Sequence, residues 1–304
     1  MKNNNVVLVT GGTGLVGRSL IPQLLANGVT VICLTRNPRK YKSTRQLKYV
    51  KCDLSSFADV RRVSSKLKQT KIKTAYYLAA NIPPLSAKKE TVFEAQRTTL
   101  APFLSFLEAF GDDIEKIVFA GTIDIYGYPK KINFDESTKP NPATPYALAK
   151  FTCEEYLKHY CEIHDKSYVI VRFAQIFGSK EALVRVIPYI IDAARNNKPF
   201  TLYGNKQNKR KFLFAEDAAA ALQQAAAYAS NDTFHIAGRE EIAVADVITV
   251  VEQIIGRPLK INHKNQDAPL SHILPSTKKA KTELKFTPKY TFREAMKIVL
   301  TSHL

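Results

Sequence analysis

The stretch Pro145-Tyr146-Ala147-Leu148-Ala149-Lys150 sets a phenol and an ammonium one helical turn apart on the same face. A neighbouring ammonium favours phenolate, so such a pair can exchange a proton with a substrate oxygen near neutral pH. The spacing alone arises by chance in many helices, and its meaning depends on its surroundings. Far upstream, the apolar run Val6-Val7-Leu8-Val9 enters Thr10-Gly11-Gly12-Thr13-Gly14-Leu15-Val16-Gly17, and an apolar-periodic helix follows at once. Strand, glycine turn and helix together form a cradle for a dinucleotide. Gly11 takes the tight turn, Gly14 lets the backbone approach a pyrophosphate at the positive helix end, and Gly17 lets helix and strand pack closely. The bland alternative is a glycine-rich turn that holds nothing.

The next strand bears on which dinucleotide. An acidic residue at its end accepts hydrogen bonds from an adenosine ribose, whereas an arginine accommodates a 2′-phosphate. Here the chain reads Leu34-Thr35-Arg36-Asn37-Pro38-Arg39-Lys40, with three cations and no carboxylate. Arg36 is suited to clamp a phosphate through paired hydrogen bonds, so NADP(H) is preferred and NAD(H) remains possible. Asp53, after the third strand, is placed to meet an adenine amino group or simply to form a strand-end turn.

These residues must be positioned by elements of regular spacing. Short β-branched runs at Val6 to Thr10, Thr30 to Thr35, Leu47 to Cys52, Ala75 to Ala79, Lys116 to Ala120 and Tyr168 to Phe173 read as strands. Leu15 to Asn27, Phe57 to Gln69, Thr91 to Phe110 and Pro145 to His164 read as helices between them. This alternation predicts an α/β fold with a doubly wound parallel sheet of the Rossmann type, which binds ligands beyond the carboxyl ends of its strands. Pro102 fits badly inside the third helix, where it kinks the helix or marks its true start. Residues 1–178 are expected to form the dinucleotide-binding domain. Residues 179–304 are expected to form mainly a smaller C-terminal substrate-binding lobe, with 210–236 returning to the first domain. That half carries helices at Leu183 to Asn196, Ala215 to Ala229, Ala243 to Ile255 and Phe292 to Thr301, and a strand at Pro199 to Tyr203.

Composition narrows the classes. The 304 residues carry a formal net charge of +18, but their lysines and arginines are scattered and no nucleic-acid motif accompanies them, so nucleic acid is not an expected partner. The longest apolar runs fall far short of the roughly 20 residues a spanning helix needs, and the N-terminus lacks a secretory pattern. No membrane association is expected, and the expected compartment is the cytoplasm. Cys33, Cys52, Cys153 and Cys161 include no Cys-x-x-Cys pair and read as free thiols. The six histidines, His159, His164, His235, His263, His272 and His303, lack ligand spacing, so no metal is expected.

The chain resembles the extended short-chain dehydrogenase/reductases, specifically the NAD(P)-dependent epimerase/dehydratase family. The resemblance spans nearly the whole length. It rests on Thr10 to Gly17, Asp53-Leu54, Leu78-Ala79-Ala80, Gly121-Thr122-Ile123-Asp124-Ile125-Tyr126-Gly127, Tyr146 with Lys150, Arg172-Phe173-Ala174-Gln175-Ile176-Phe177-Gly178, and Tyr203-Gly204-Asn205 leading to Arg210 and Asp217. It implies that Leu54, Leu78, Ala79 and Ala80 line the cofactor. Thr122 would join Tyr146 in holding the reacting oxygen, and Lys150 would also touch the nicotinamide ribose. Gln175 and Arg210 would face the substrate, Arg210 meeting a nucleotide-sugar pyrophosphate or standing as a surface charge. It also implies a homodimer through the tyrosine-bearing helix, for which Phe151, Tyr156, Leu157 and Tyr160 offer apolar surface unless they face the core.

The chain departs from the family pattern in several places. Gln175 and Thr99 stand where nucleotide-sugar enzymes carry asparagine, which weakens that substrate class. Ile123 replaces the acid that a dehydratase uses to donate a proton, and Asp124 beside it reads as structural. The leading expectation is therefore an NADP(H)-dependent oxidoreductase that moves a hydride to or from a carbonyl or hydroxyl carbon, with Tyr146 as general acid/base. The substrate is a small molecule, anionic or a sugar nucleotide among the candidates. Two alternatives stand beside this reading: a nucleotide-sugar epimerase with tightly held NAD(P), and a non-catalytic NADP-sensing scaffold.

Overall fold

The protein is described here from a computed structural model covering residues 5–82, 90–129, 133–179, 185–265, 267–268 and 270–301. Its centre is a seven-stranded parallel sheet of β1 (Val6–Thr10), β2 (Thr30–Thr35), β3 (Leu47–Lys51), β4 (Ile72–Tyr77), β5 (Ile114–Thr122), β6 (Ser167–Phe173) and β7 (Asp232–Ile236), in the order β7-β6-β5-β4-β1-β2-β3. β1 pairs with β2 on one side and β4 on the other. The winding therefore reverses at β1, and a crevice opens beyond the carboxyl ends of β1 and β4.

The helices are α1 (Leu15–Ala26), α2 (Phe57–Leu67), α3 (Val92–Ala95), α4 (Ala101–Phe110), α5 (Pro145–Ile163), α6 (Val186–Asn196), α7 (Ala215–Ala227), α8 (Val244–Ile255), α9 (Lys278–Thr282) and α10 (Phe292–Thr301). Side chains alternate across a strand, so Val7 and Val9 of β1 enter one core while Leu8 enters the other. The first core is closed by α1 and α7, where Ala218, Ala221 and Ala225 let α7 lie close to Leu20, Ile21 and Leu24. The second is closed by α2, α4 and α5 through Val60, Val63, Phe103, Phe106 and Leu157. A separate apolar cluster joins α6, α8 and α10 through Ile187, Ile190, Val247, Val251 and Met296. No helix among the described residues is long and apolar enough to cross a membrane.

Three local features differ from the sequence expectation. β7 is a strand that the pattern of Asp232-Thr233-Phe234-His235-Ile236 did not announce; it pairs in parallel with β6. The single helix expected over Thr91 to Phe110 is three pieces: α3, a π-helical turn at Gln96–Leu100, and α4 with Pro102 in its first turn. Proline supplies no N–H, and the wider turn ahead of it accommodates the missing bond. The helix expected from Leu183 begins at Val186, and Leu183 itself lies outside the described residues. On α5, Leu157 faces the second core and Phe151 packs against a separate cluster around Ile125 and Tyr126, whereas Tyr156 is 48% exposed.

A buried polar chain ties α5 to the sheet. Glu154 Oε2 accepts from Arg172 Nε at 3.0 Å and Nη2 at 2.7 Å, and Arg172 Nη1 donates to Tyr126 Oη at 2.6 Å. Tyr126 Oη lies 2.7 Å from His235 Nε2. Since Tyr126 accepts from Arg172, its proton goes to His235, whose Nε2 must then be unprotonated. Burial, followed by the Arg172 charge, lowers His235 to about 3. In the unfolded chain this imidazole titrates near 6.5, so between those values the unfolded state binds the extra proton. Stability from this group is present above about pH 6.5 and is lost as pH falls. The midpoint of thermal unfolding is expected to drop between about pH 7 and pH 5. His235→Gln, which still accepts from Tyr126, is expected to show a shallower drop by scanning calorimetry; an equal drop would contradict this account.

Candidate active site

At the crevice beyond β1 and β4 lies a cavity of about 220 Å³. Its lining includes Gly11, Gly14, Leu15, Val16 and Gly17 from the first turn, Leu78 and Ala80 after β4, Thr122 at the end of β5, Tyr146 from α5, and Gln175 after β6. Residues widely separated in sequence thus converge on one space. A larger groove of about 430 Å³, between α2, α4 and α5, contains none of them and is lined by Phe57, Leu104, Tyr156, Tyr160 and Ile163 among others.

The glycine turn is built by close approach. Gly11 has φ +67°, and a Cβ there would stand 2.7 Å from the Ala79 amide nitrogen. Thr10 Oγ1 accepts from the amides of Leu78 and Ala79, each at 3.2 Å, and so ties β1's end to the segment after β4. A Cβ at Gly17 would sit 2.4 Å from Gly12 Cα, so glycine alone permits this seating of α1. At Gly14 the nearest atom a Cβ would meet is the Gly11 carbonyl oxygen, at 3.1 Å. No side chain caps α1, and its first turn carries no acid. These features fit the pyrophosphate of a dinucleotide, because uncapped amides and the helix dipole attract an anion.

Pro145 opens α5, and Thr144 caps it by accepting from the Ala147 amide at 3.2 Å. This start places Tyr146, 7% exposed, at the cavity wall and Lys150, 2% exposed, one turn deeper. Lys150 Nζ donates to the Ala120 carbonyl at 2.6 Å and lies 3.9 Å from the centre of the Phe119 ring. Burial lowers Lys150 to about 8. Burial, with the Asp124 charge adding to it, holds the Tyr146 phenol well above its ordinary range. The expected lowering by Lys150 is therefore absent in this arrangement: the ammonium is engaged below the phenol, and desolvation dominates. Thr122 Oγ1 accepts from the Asp124 amide at 3.2 Å, which leaves its proton available to an oxygen in the cavity.

The remaining expected residues surround this centre. Gly12 is buried beneath the turn, where a Cβ would meet Cys33 Sγ at 2.5 Å, and Thr13 offers its carbonyl to Arg18 Nε at 2.9 Å. Arg36 is exposed at the end of β2, and its charge, after the Ser55 hydrogen bonds, helps hold Asp53 below the usual carboxylate range. Asp53 and Leu54 are half-buried beside it. Asp53 accepts from both the amide and the hydroxyl of Ser55, so its turn-forming role is real. Arg210 is not part of the cavity lining: its guanidinium donates to the carbonyls of Lys209, at 2.8 Å, and Ser271. Asp124, read from the sequence as structural, and Arg185, which carried no signal, both line the cavity and form an ion pair of 3.0 Å. A lone cation in a segment without pattern could not have been assigned from sequence; Asp124 could, from its place two residues after Thr122.

Fold and site define a dinucleotide-binding enzyme of the Rossmann type. The profile of the NAD-dependent epimerase/dehydratase family matches residues 7–237, and the chain belongs to that family, within the extended short-chain dehydrogenase/reductases. A putative UDP-glucose 4-epimerase of Methanocaldococcus jannaschii is 26% identical over 303 residues, covering 97% of each chain. Among solved structures, the UDP-glucose 4-epimerase of Thermotoga maritima with UDP-glucose superposes with a TM-score of 0.86 at 22% identity, covering 97% of each chain. The Thermus thermophilus UDP-glucose 4-epimerase in complex with NAD gives 0.84 at 24% identity, again over 97% of each. At this identity the superpositions establish the shared fold.

Gly17→Ala is expected to force α1 off β1. Overpacking of this kind costs about 1–3 kcal/mol, and displacement of the helix start should weaken dinucleotide binding by about tenfold or more, equivalent to about 1.4 kcal/mol. Denaturant unfolding and fluorescence titration with NADH and NADPH check both effects; wild-type affinity in a folded Gly17→Ala chain would contradict the assigned contact.

Proposed function

We propose that the protein interconverts epimers of a nucleotide-linked sugar, using NAD(P) as a tightly held hydride carrier. The observation that carries this reading is the convergence of Thr122, Tyr146 and the glycine-rich turn on one cavity, with Lys150 directly beneath. The epimerase relatives support it over net reduction. When bound, the nicotinamide dinucleotide supplies the hydride acceptor and donor. Tyr146 takes the proton of the sugar hydroxyl as that carbon is oxidised, and Thr122 donates a hydrogen bond to the same oxygen. Lys150 holds its ammonium one turn below the phenol, where a nicotinamide ribose would meet it. After the keto sugar presents its other face, Tyr146 returns the proton, and the cofactor is unchanged over the cycle. Gln175 lines the cavity, and Arg210, outside that lining, is the residue the family resemblance gives to a substrate pyrophosphate.

At the adenosine end, Arg36, Arg39 and Lys40 support NADP(H), whereas the relative seen with NAD supports NAD(H). These same cations favour, as second reading, a net carbonyl reductase drawing on NADPH. The four cysteines are buried free thiols, which suits a reducing cytoplasm. Incubation with UDP-glucose is expected to yield its epimer with no steady change in nicotinamide absorbance, and Tyr146→Phe is expected to lose about 10²- to 10⁴-fold in rate. Stoichiometric consumption of NADPH would favour the reductase, and full activity of Tyr146→Phe would sink both. Parallel titrations should show NADPH binding more tightly than NADH; the reverse order would overturn the role given to Arg36.

The groove along α4 and α5, with Tyr156 and Ile163 exposed, supports a second copy of this chain as its occupant. Light scattering is expected to give a mass near twice 34.1 kDa. A single-chain mass across the working concentration range would remove this part of the reading.

A further inference from the structure

Thr122 stands at the last position of β5, and a 3-10 turn, Ile123–Tyr126, follows at once. Thr122 Oγ1 accepts from the Asp124 amide inside that turn, so the turn decides where the hydroxyl proton points. If the amide moves, the hydroxyl is free to rotate. Of the turn's side chains only those of Asp124 and Tyr126 can hydrogen bond. Asp124 meets Arg185 ahead of α6, whereas Tyr126 reaches the sheet: Arg172 of β6 donates to its Oη, and Nε2 of His235 on β7 lies 2.7 Å from the same oxygen.

The Tyr126 ring is buried 4.8 Å from that of Phe134, and Ile123 and Ile125 enter the same apolar cluster. Such packing holds the turn down without fixing its rotation, because apolar contact is non-directional. Hydrogen bonds to two strands supply the direction. Burial pushes the phenol up to about 12, so near neutral pH it keeps its proton and can accept from Arg172 while donating to His235. Arg172 is itself fixed, since Glu154 Oε2 takes its Nε and Nη2, and it pairs in register with Gly121, the residue before Thr122. A Cβ at Gly121 would stand 2.6 Å from Glu154 Oε1, so α5 bears directly on this strand end. The Tyr126 hydroxyl thereby joins the turn after Thr122 to the neighbouring strand and, through Arg172 and Glu154, to the helix that carries Tyr146.

We propose that Tyr126 is a positioning residue for the reaction: its hydroxyl holds the turn, the turn holds the Asp124 amide, and the amide aims the Thr122 hydroxyl at the reacting oxygen. This rests on the role given to Thr122 in the epimerase reading above. Tyr126 does not line the cavity and acts only through Thr122.

Two readouts test it. Epimerisation of UDP-glucose is followed in the wild type, Tyr126→Phe, Thr122→Ala and the double variant. The Thr122 methyl signal is followed by NMR in threonine-labelled chains without ligand, and the Thr122→Ala spectrum assigns it. Tyr126→Phe is expected to lower kcat by about ten- to a hundredfold, to leave KM within about twofold, and to shift or broaden the Thr122 methyl signal. On the Thr122→Ala background the same substitution is expected to change kcat by less than about twofold, whereas a merely structural tyrosine would cost the same factor on both backgrounds. Equal losses on both backgrounds, an unchanged kcat in a folded Tyr126→Phe chain, or an unmoved methyl signal would each overturn the proposal. His235→Gln, which still accepts from Tyr126, is expected to keep the wild-type rate. If Tyr126→Phe fails to fold, His235→Leu, which leaves the hydroxyl without its acceptor, takes its place under the same criteria. Binding of UDP-glucose without epimerisation would sink the epimerase reading alone, since the methyl signal still tests the tie; full activity of Thr122→Ala would overturn the proposal and leave the epimerase reading standing.

Discussion

Burial of the Lys150 ammonium is the constraint on which the geometry of the site turns. A charge taken out of water must find compensating contacts, and Lys150 finds them on β5: the Ala120 carbonyl at 2.6 Å and the face of Phe119. Both contacts fix the height and rotation of α5 over the sheet. Tyr146, one turn earlier, is thereby carried to the carboxyl end of β5, where Thr122 ends the strand. Glu154, one turn later on the same face, meets Arg172 of β6. Lys150 and Glu154, four residues apart, clamp one helix across two strands, and the convergence of the Tyr146 phenol and the Thr122 hydroxyl on one cavity follows from that clamp.

The opposite wall is fixed by the absence of side chains. α1 can start directly above β1 because Gly17 lets it rest on Gly12, and the segment after β4 can pass over Gly11 because nothing projects from it. Alanines on α7 then seat that helix against α1, and β7 extends the sheet beyond β6. The crevice is thus defined by one wall held through an ion and another held through close backbone contact.

This division explains what could be read from the sequence. The first six strands and the helices between them were legible because each is a local pattern: a β-branched run, a turn, a periodic stretch. The glycine turn and the Tyr146 and Lys150 pair were legible because their chemistry lies in residue types at short spacing. β7 was not, since its five residues mix polar and apolar types and become a strand only by pairing with β6, some sixty positions earlier. The π-helical turn at Gln96–Leu100 was hidden for another reason: Pro102 announced a disturbance but not its form. Arg185 belongs to the site only through the way α6 docks, and no spacing in the chain encodes that. The phenol of Tyr146 was read from the ammonium one turn away, while the desolvation that outweighs it is a property of the assembled core.

Charge gives the same lesson on a larger scale. The chain carries +18, yet the cations nearest the reacting centre are engaged locally: Lys150 by a carbonyl and a ring, Arg172 by Glu154 and Tyr126, Arg185 by Asp124. The excess positive charge lies mostly on solvated surface, where salt screens it within about 8–10 Å. A basic chain therefore need not present a basic pocket. Long-range attraction can draw an anionic nucleotide towards the protein, and the uncapped amides of α1 give the pyrophosphate of the dinucleotide a place to rest.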